Sequence, residues 1–261
     1  MKHARELRDR RLHAMLAAVS ETFDWPGFLP AFASAAVAAG FRPHRYGSTP
    51  SGDLMAWLKP GSGKRSYLSA GIHGDEPAGP LALLELMRSG AFHDQGEWLL
   101  CPALNPTGLA MGRRENADGR DLNRDYWVRR TPEVCAHTKW LHANGIADRF
   151  ISLHEDWEST GFYFYEINCG PDRPDRARAI LEAVSPWFPA EPNAVIDDHD
   201  IREPGWIYHP AEADMPDHWP EAIFLAKNGC GLSFTFETPS SAPLASRVAA
   251  HVAAVRAALE F

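Results

Sequence analysis

Arg65-Ser66-Tyr67-Leu68-Ser69-Ala70-Gly71-Ile72-His73-Gly74-Asp75-Glu76-Pro77 reads as a strand that runs into a turn and hands over to a helix. Residues 65–70 have strand character. Pro77 pre-sets φ for a helix over residues 77–88, which Gly90 closes. His73 and Glu76 therefore stand on a strand-to-helix turn, where side chains face a cleft rather than a core. A histidine and a glutamate three positions apart can ligate one zinc ion, through imidazole nitrogen and carboxylate oxygen. For the pair in isolation, a solvated surface loop is the bland alternative. Proline at 77 excludes the helical HxxEH arrangement, and no HExxH occurs. A third ligand and a base must come from elsewhere.

Toward the N-terminus, residues 1–20 resemble an amphipathic helix and Trp25-Pro26 reads as a break. Residues 29–39 form an Ala-rich helix stopped by Gly40, and residues 45–59 hold a turn and then a strand ending at Leu58. Toward the C-terminus, Glu97–Cys101 is a strand leading into a long polar stretch over 105–130. Thr131 caps a helix that begins at Pro132 and ends at Gly145. Strands follow at 149–153 and 162–167, then a helix over Pro174–Val184. Residues 186–220 are rich in Pro, Asp, Glu and Trp without periodicity, as in a loop that shapes a site or moves. A strand at 231–236 ends at Glu237. Leu244, Val248, Val252, Val255 and Leu259 then mark one face of a last helix. Alternating strands and helices predict an α/β domain over 1–261, with a mainly parallel sheet covered on both sides.

The 261 residues are 45% apolar and 23% charged, as in an ordinary globular enzyme, with a net charge of −8 that argues against a nucleic-acid surface. No stretch approaches a membrane span, and residues 1–11 are too charged to be expected to act as a secretion signal. Cys101, Cys135, Cys169 and Cys230 are scattered, so four reduced thiols in the cytoplasm are the expectation.

In open α/β sheets, sites gather where strands end. His73, Asn105, His154 and Glu237 are all expected just beyond such ends. His154 is the best third ligand; two histidines and one carboxylate leave zinc's fourth position to water, the pattern of a catalytic site. A lone strand-terminal histidine is otherwise structural. Water on zinc needs a proton acceptor beside it, and Glu237 is the candidate; burial of its flank would raise its pKa. Its alternative is a solvated strand-end glutamate. Within 105–124, Arg114 and Arg124, with Asn123 adjacent, can bring two guanidinium forks to one substrate, against the alternative of a charged surface loop.

These pieces resemble the zinc carboxypeptidase superfamily of funnelin-type metallopeptidases, including murein-peptide amidases and the desuccinylase/aspartoacylase branch. The matching residues are His73-Gly-Asp-Glu76, Asn105-Pro-Thr-Gly108, Arg114-Glu-Asn-Ala-Asp-Gly-Arg-Asp121-Leu-Asn123-Arg124, His154 and Phe236-Glu237-Thr-Pro. The resemblance implies His73, Glu76 and His154 as ligands of one zinc ion and Glu237 as general base and then acid. It implies Arg114 as the oxyanion clamp, Asn123 and Arg124 as the dock for a terminal carboxylate, and Asp121 as the acceptor that orients a ligand histidine. The implied fold is an α/β/α sandwich around a mixed eight-stranded sheet. Carboxypeptidases of this kind also place a tyrosine on a loop before the base. Tyr208 is the one tyrosine within 186–220, with a packed loop aromatic as its alternative.

The expected activity is hydrolysis of an amide bond next to a free carboxylate in a small peptide. An N-acyl amino acid deacylase with the same site is the first alternative, and a zinc- or peptide-binding protein without catalysis is the second. Glu237 and Arg114 argue against the latter, since binding needs neither.

Overall fold

The computed structural model describes residues 23–50, 52–92 and 95–261, so the helix expected over 1–20 lies outside the described residues. In chain order the strands are β1 (Arg42–Thr49), β2 (Gly52–Lys59), β3 (Arg65–Ala70), β4 (Glu97–Cys101), β5 (Arg149–Asp156), β6 (Tyr163–Asn168), β7 (Val195–Ile196), β8 (His199–Asp200), β9 (Trp206–Tyr208) and β10 (Leu232–Pro239). The described helices are α1 (Trp25–Ala38), α2 (Ala78–Arg88), α3 (Pro106–Met111), α4 (Pro132–Asn144), α5 (Pro174–Val184), α6 (Glu221–Lys227) and α7 (Leu244–Leu259).

Eight strands form one mixed sheet in the order β1-β2-β4-β3-β5-β10-β6-β9, while β7 and β8 pair separately. Strands β4, β3, β5 and β10 run parallel side by side, and antiparallel pairings flank them. Period-two alternation divides the side chains of these strands between two layers. Leu68, Ile151, Leu153, Phe164, Phe234 and Phe236 pack with α2, α5 and α7 on one face. Tyr67 and Phe150 pack on the other with Val134, Trp140 and Leu141 of α4 and Phe224 and Leu225 of α6. The result is the expected α/β/α arrangement.

Three local expectations change. Helix α1 begins at Trp25, because Asp24 caps it through Gly27 N (3.2 Å) and Pro26 occupies its first turn, where no amide hydrogen is needed. Residues 42–49 are a strand rather than only a turn, pairing with β2 in an antiparallel hairpin. Finally, β5 and β10 extend to Asp156 and Pro239, so His154 and Glu237 lie within strands rather than beyond their ends. The parallel register continues through Glu237↔His154, Thr238↔Glu155 and Pro239↔Asp156. Among the described residues, no helix is long and apolar enough to cross a membrane.

Candidate active site

The turn after β3 is held by a close approach of two backbones. A Cβ on Gly74 would stand 1.9 Å from the carbonyl carbon of Gly108 in α3. Asn105 clamps the two: its Oδ1 caps α3 through Gly108 N (2.9 Å), and its Nδ2 donates to Ile72 O (3.3 Å) and Arg114 O (3.2 Å). Asn105 is fully buried. It therefore serves as a brace for the turn, which neighbouring strand ends alone would not have indicated.

The braced turn brings His73 and Glu76 to His154 on β5. His73 Nδ1 lies 2.6 Å from Glu76 Oε1, and His154 Nδ1 lies 2.9 Å from Glu76 Oε2. All three side chains are buried, and their donor atoms lie within 4.8 Å of one another. His73 Nε2 donates to Asp121 Oδ1 (3.2 Å), leaving Nδ1 as the nitrogen that faces the cluster. Two imidazoles and one carboxylate, with a carboxylate behind one ring, fit a divalent metal ion.

Neighbouring charges and burial compete over the protons of the cluster. Burial alone would lower the His73 imidazole, but Glu76 and the Asp121 hydrogen bond outweigh it and raise it to about 9. Burial wins at His154, which is lowered despite Glu76. Glu76 is held well below the usual carboxylate range, because the two histidines overcome its own burial.

Glu237 is the neighbour of His154 across the parallel β5–β10 rung, about 4.8 Å away in the sheet. Burial, then Glu76 and Asp156, raise its carboxyl well above the ordinary value. Arg114 is held by Asp121, with Nε to Oδ2 at 3.0 Å and an Nη at 2.9 Å, and its other Nη stands 3.7 Å from Glu76. Asp121 also accepts from Asn123 N at 2.8 Å and so starts the short 3-10 turn Leu122–Arg124. Asn123 Oδ1 accepts from Glu221 N (2.9 Å), which leaves its amide Nδ2 as the group to meet a ligand. Arg124 and Asn123 line the same cavity as the cluster, a space of about 910 Å³.

Tyr208 lies elsewhere. On β9 it takes the opposite parity to Ile207, and its ring packs on Trp206 and the Arg202 guanidinium while its hydroxyl donates to Asn168 O (3.3 Å). Ile207 faces the cavity side with Tyr163. The tyrosines that line the cavity are Tyr163 and Tyr165 of β6. Glu237 pairs with Tyr163 across the β10–β6 rung. The Phe162-Tyr163-Phe164-Tyr165 alternation carried that signal, since only one ring type faces the apolar core.

A mixed α/β sheet with a buried two-histidine, one-carboxylate cluster beside a cavity defines a metal-dependent hydrolase scaffold. Residues 62–261 match the model of the succinylglutamate desuccinylase/aspartoacylase catalytic domain, and the chain belongs to that family, within the zinc carboxypeptidase-like superfamily. It is an enzyme of the metallopeptidase and amidohydrolase class. No curated protein matches the sequence. Among solved structures, a candidate metallopeptidase from Shewanella amazonensis is 24% identical, with a TM-score of 0.79 over 89% of this chain and 91% of that one. A metallo-carboxypeptidase from Burkholderia cenocepacia is 20% identical, with a TM-score of 0.59 over 87% of this chain and 68% of that one. Bovine thrombin-activatable fibrinolysis inhibitor, solved with a tick carboxypeptidase inhibitor, is 16% identical, with a TM-score of 0.64 over 92% and 97%. At these identities the likeness is one of fold.

Proposed function

We infer that the protein is a zinc-dependent hydrolase that cuts an amide bond next to a free carboxylate in a short peptide. The observation that carries this reading is the meeting of His73, Glu76 and His154 in one buried cluster, with Glu237 on the adjacent rung. Those three residues would hold one zinc ion, which when bound supplies Lewis acidity to the scissile group.

Glu237 takes the proton of the attacking water on a carboxylate oxygen and returns it to the leaving amine nitrogen. A carboxyl whose proton affinity is raised by burial and by Glu76 suits that double duty, because it must hold the proton between the two steps. Arg114, fixed by Asp121, offers guanidinium hydrogens to the charge that develops on the carbonyl oxygen. Arg124 and Asn123 Nδ2 are placed to receive the substrate's carboxylate, the former through a two-pronged charged hydrogen bond.

A cavity of about 910 Å³ is near the upper end of small-ligand pockets and has room for more than one amino acid residue. That space favours a peptide. The family match favours the second reading, an N-acyl amino acid as substrate. Assaying short peptides beside N-succinyl and N-acetyl amino acids separates the two. Glu237→Gln is expected to keep the fold and bound zinc but lose at least about 100-fold in turnover. A variant as active as the parent would overturn the role given to Glu237.

A further inference from the structure

The same cavity contains a second cluster of potential ligands that the proposed reaction does not use. His199 of β8, His209 just after β9, and Asp214 converge with Nε2 to Nε2 at 3.1 Å, His199 Nε2 to Asp214 Oδ1 at 3.2 Å, and His209 Nε2 to the same oxygen at 3.5 Å. We propose that His199, His209 and Asp214 form a second binding site for a divalent cation of the zinc class, separate from the His73 cluster.

The hydrogen bonds behind the rings fix their tautomers. His199 Nδ1 is 2.6 Å from Asp197 O, and His209 Nδ1 is 2.6 Å from Pro210 O. A backbone carbonyl can only accept, so both rings carry hydrogen on Nδ1 and present Nε2 lone pairs inward. In the neutral rings two imidazole lone pairs and a carboxylate oxygen then face one another. Such a trio is held together by a proton on one ring or by a cation shared among all three, and only the cation engages all three atoms at once. Ligand histidines typically give their outer nitrogen to a carbonyl in just this way.

The triangle also has the right size. Zinc bonds of about 2.05 Å put adjacent tetrahedral ligands about 3.3 Å apart. The three observed edges lie within about 0.2 Å of that value. Their circumscribed circle has a radius of about 1.9 Å, so an ion at normal bond lengths would sit about 0.8 Å out of the ligand plane, near the tetrahedral offset of about 0.7 Å. Two nitrogens and one oxygen suit zinc and its transition-metal neighbours over magnesium or calcium.

The site is anchored to the sheet but displaced from the first cluster. The Tyr165 ring stands 5.5 Å from that of His199 and 5.9 Å from that of His209, and its hydroxyl donates to Asp197 Oδ2 at 2.9 Å. Tyr165 pairs with Thr235, whereas Glu237 pairs with Tyr163, a step of two residues or about 6.6 Å along the strands. That exceeds the spacing of about 3.5–4 Å in bridged two-metal sites. The second ion would instead tie Asp214, whose side chain is 68% exposed, to the two histidines and fasten the 195–214 segment along the cavity.

The test is zinc stoichiometry by elemental analysis of chelator-stripped protein reloaded with zinc and desalted. Two ions per chain are expected for the parent. One is expected for His199→Gln/Asp214→Asn, and one for His73→Gln/His154→Gln. A parent holding one ion that the first double variant retains would overturn this site. A parent holding one ion that is lost only in the first double variant would support it while refuting the His73 cluster as a zinc site. Because removal of His199 perturbs a packed ring, the exposed single variant Asp214→Asn is titrated with zinc by calorimetry. Its weaker binding event should lose at least about tenfold in affinity, with the other event unchanged. Two unaltered events, or a single event of equal affinity in both proteins, would equally overturn the proposal.

Discussion

Gly74→Ala tests whether the metal cluster depends on the backbone contact beneath it. The added methyl carbon would lie 1.9 Å from Gly108 C and 2.3 Å from both Gly108 O and Leu109 N. All three are main-chain atoms, so no side chain can swing aside. Ordinary contact begins near 3.4 Å, so the two segments must part by about 1.5 Å. Parting them strains the Asn105 bonds to Ile72 O and Gly71 O and the Gly74 N bond to Arg114 O. Two or three hydrogen bonds at about 1 kcal/mol each, added to an overpacking cost of about 1–3 kcal/mol, give a loss of about 3–6 kcal/mol. For a chain of this size that lowers Tm by about 10 °C. His73 and Glu76 flank the altered residue, and metal sites tolerate only about 0.2 Å of error in ligand distance, so zinc affinity should fall at least tenfold. Thermal denaturation of the apo-protein and a zinc titration against a competing chelator read the two effects. Gly112→Ala is the control. Unlike Gly74 it has positive φ (60°), and nothing lies within 4 Å of its added carbon. It should cost about 1–2 kcal/mol of backbone strain and leave zinc binding intact. A Gly74→Ala protein with parental Tm and zinc affinity would refute the reasoning.

Three further outcomes follow from the same geometry. Asp121→Asn keeps an oxygen near His73 Nε2 but removes the charge behind the ring, and should weaken zinc about 10- to 100-fold in a chelator competition; parental affinity would contradict the orienting role. Arg124→Ala should raise KM about tenfold or more for substrates with a free carboxylate, with little effect on kcat, and should leave the amidated analogues unchanged. Stability should be nearly flat from pH 6.5 to 4.5 and then fall steeply, as read from urea midpoints. Burial lowers His137 and His251 to about 3, so unfolding takes up protons below about pH 6.5 and acid destabilises the fold. Burial raises Glu155 and Glu221 to about 7, so unfolding releases protons between about 4.5 and 7 and offsets the histidines there. Below 4.5 the histidines are unopposed and cost about 3 kcal/mol per pH unit, with the depressed Glu76 and Asp121 acting in the same direction. A steady decline from pH 6.5 would count against the raised carboxyls of Glu155 and Glu221, and the absence of a fall below 4.5 would count against the buried neutral histidines.

The elements legible in the sequence were those whose side chains repeat with a clear period or end on a strong cap. Helix α7 shows its buried face in Leu244, Val248, Val252 and Val255, and α4 and α5 start at prolines. Strand β1 was not legible because it is an edge strand, exposed along most of its length, and Arg-Pro-His-Arg-Tyr-Gly-Ser-Thr carries no apolar alternation. Helix α6 has only seven residues, too few to display a period. At Trp25-Pro26 the proline opens a helix rather than breaking one, a distinction that rests on the Asp24 cap before it.

The candidate site was legible to the extent that it follows from strand parity. His154 on β5, Glu237 on β10 and Tyr163 on β6 occupy linked rungs of three neighbouring strands, through Glu237↔His154 and Glu237↔Tyr163. Each is flanked by large apolar residues committed to the opposite core: Leu153, Phe236, Phe162 and Phe164. A slip of one residue in any strand would exchange a polar site residue for one of these rings, so the same burial that stabilises the sheet fixes the site's register. That coupling explains why His154 and Glu237 share a rung and a side even though their strands run on past them. Tyr208 and the His199–His209–Asp214 cluster fall outside its reach. They sit on strands of two and three residues and in turns, where Asp197 and Asp198 take positive φ and no alternation announces which way a side chain will point. Short-range pattern predicts orientation only where a long strand has a core to commit to, and the far wall of this cavity is built from segments that have none.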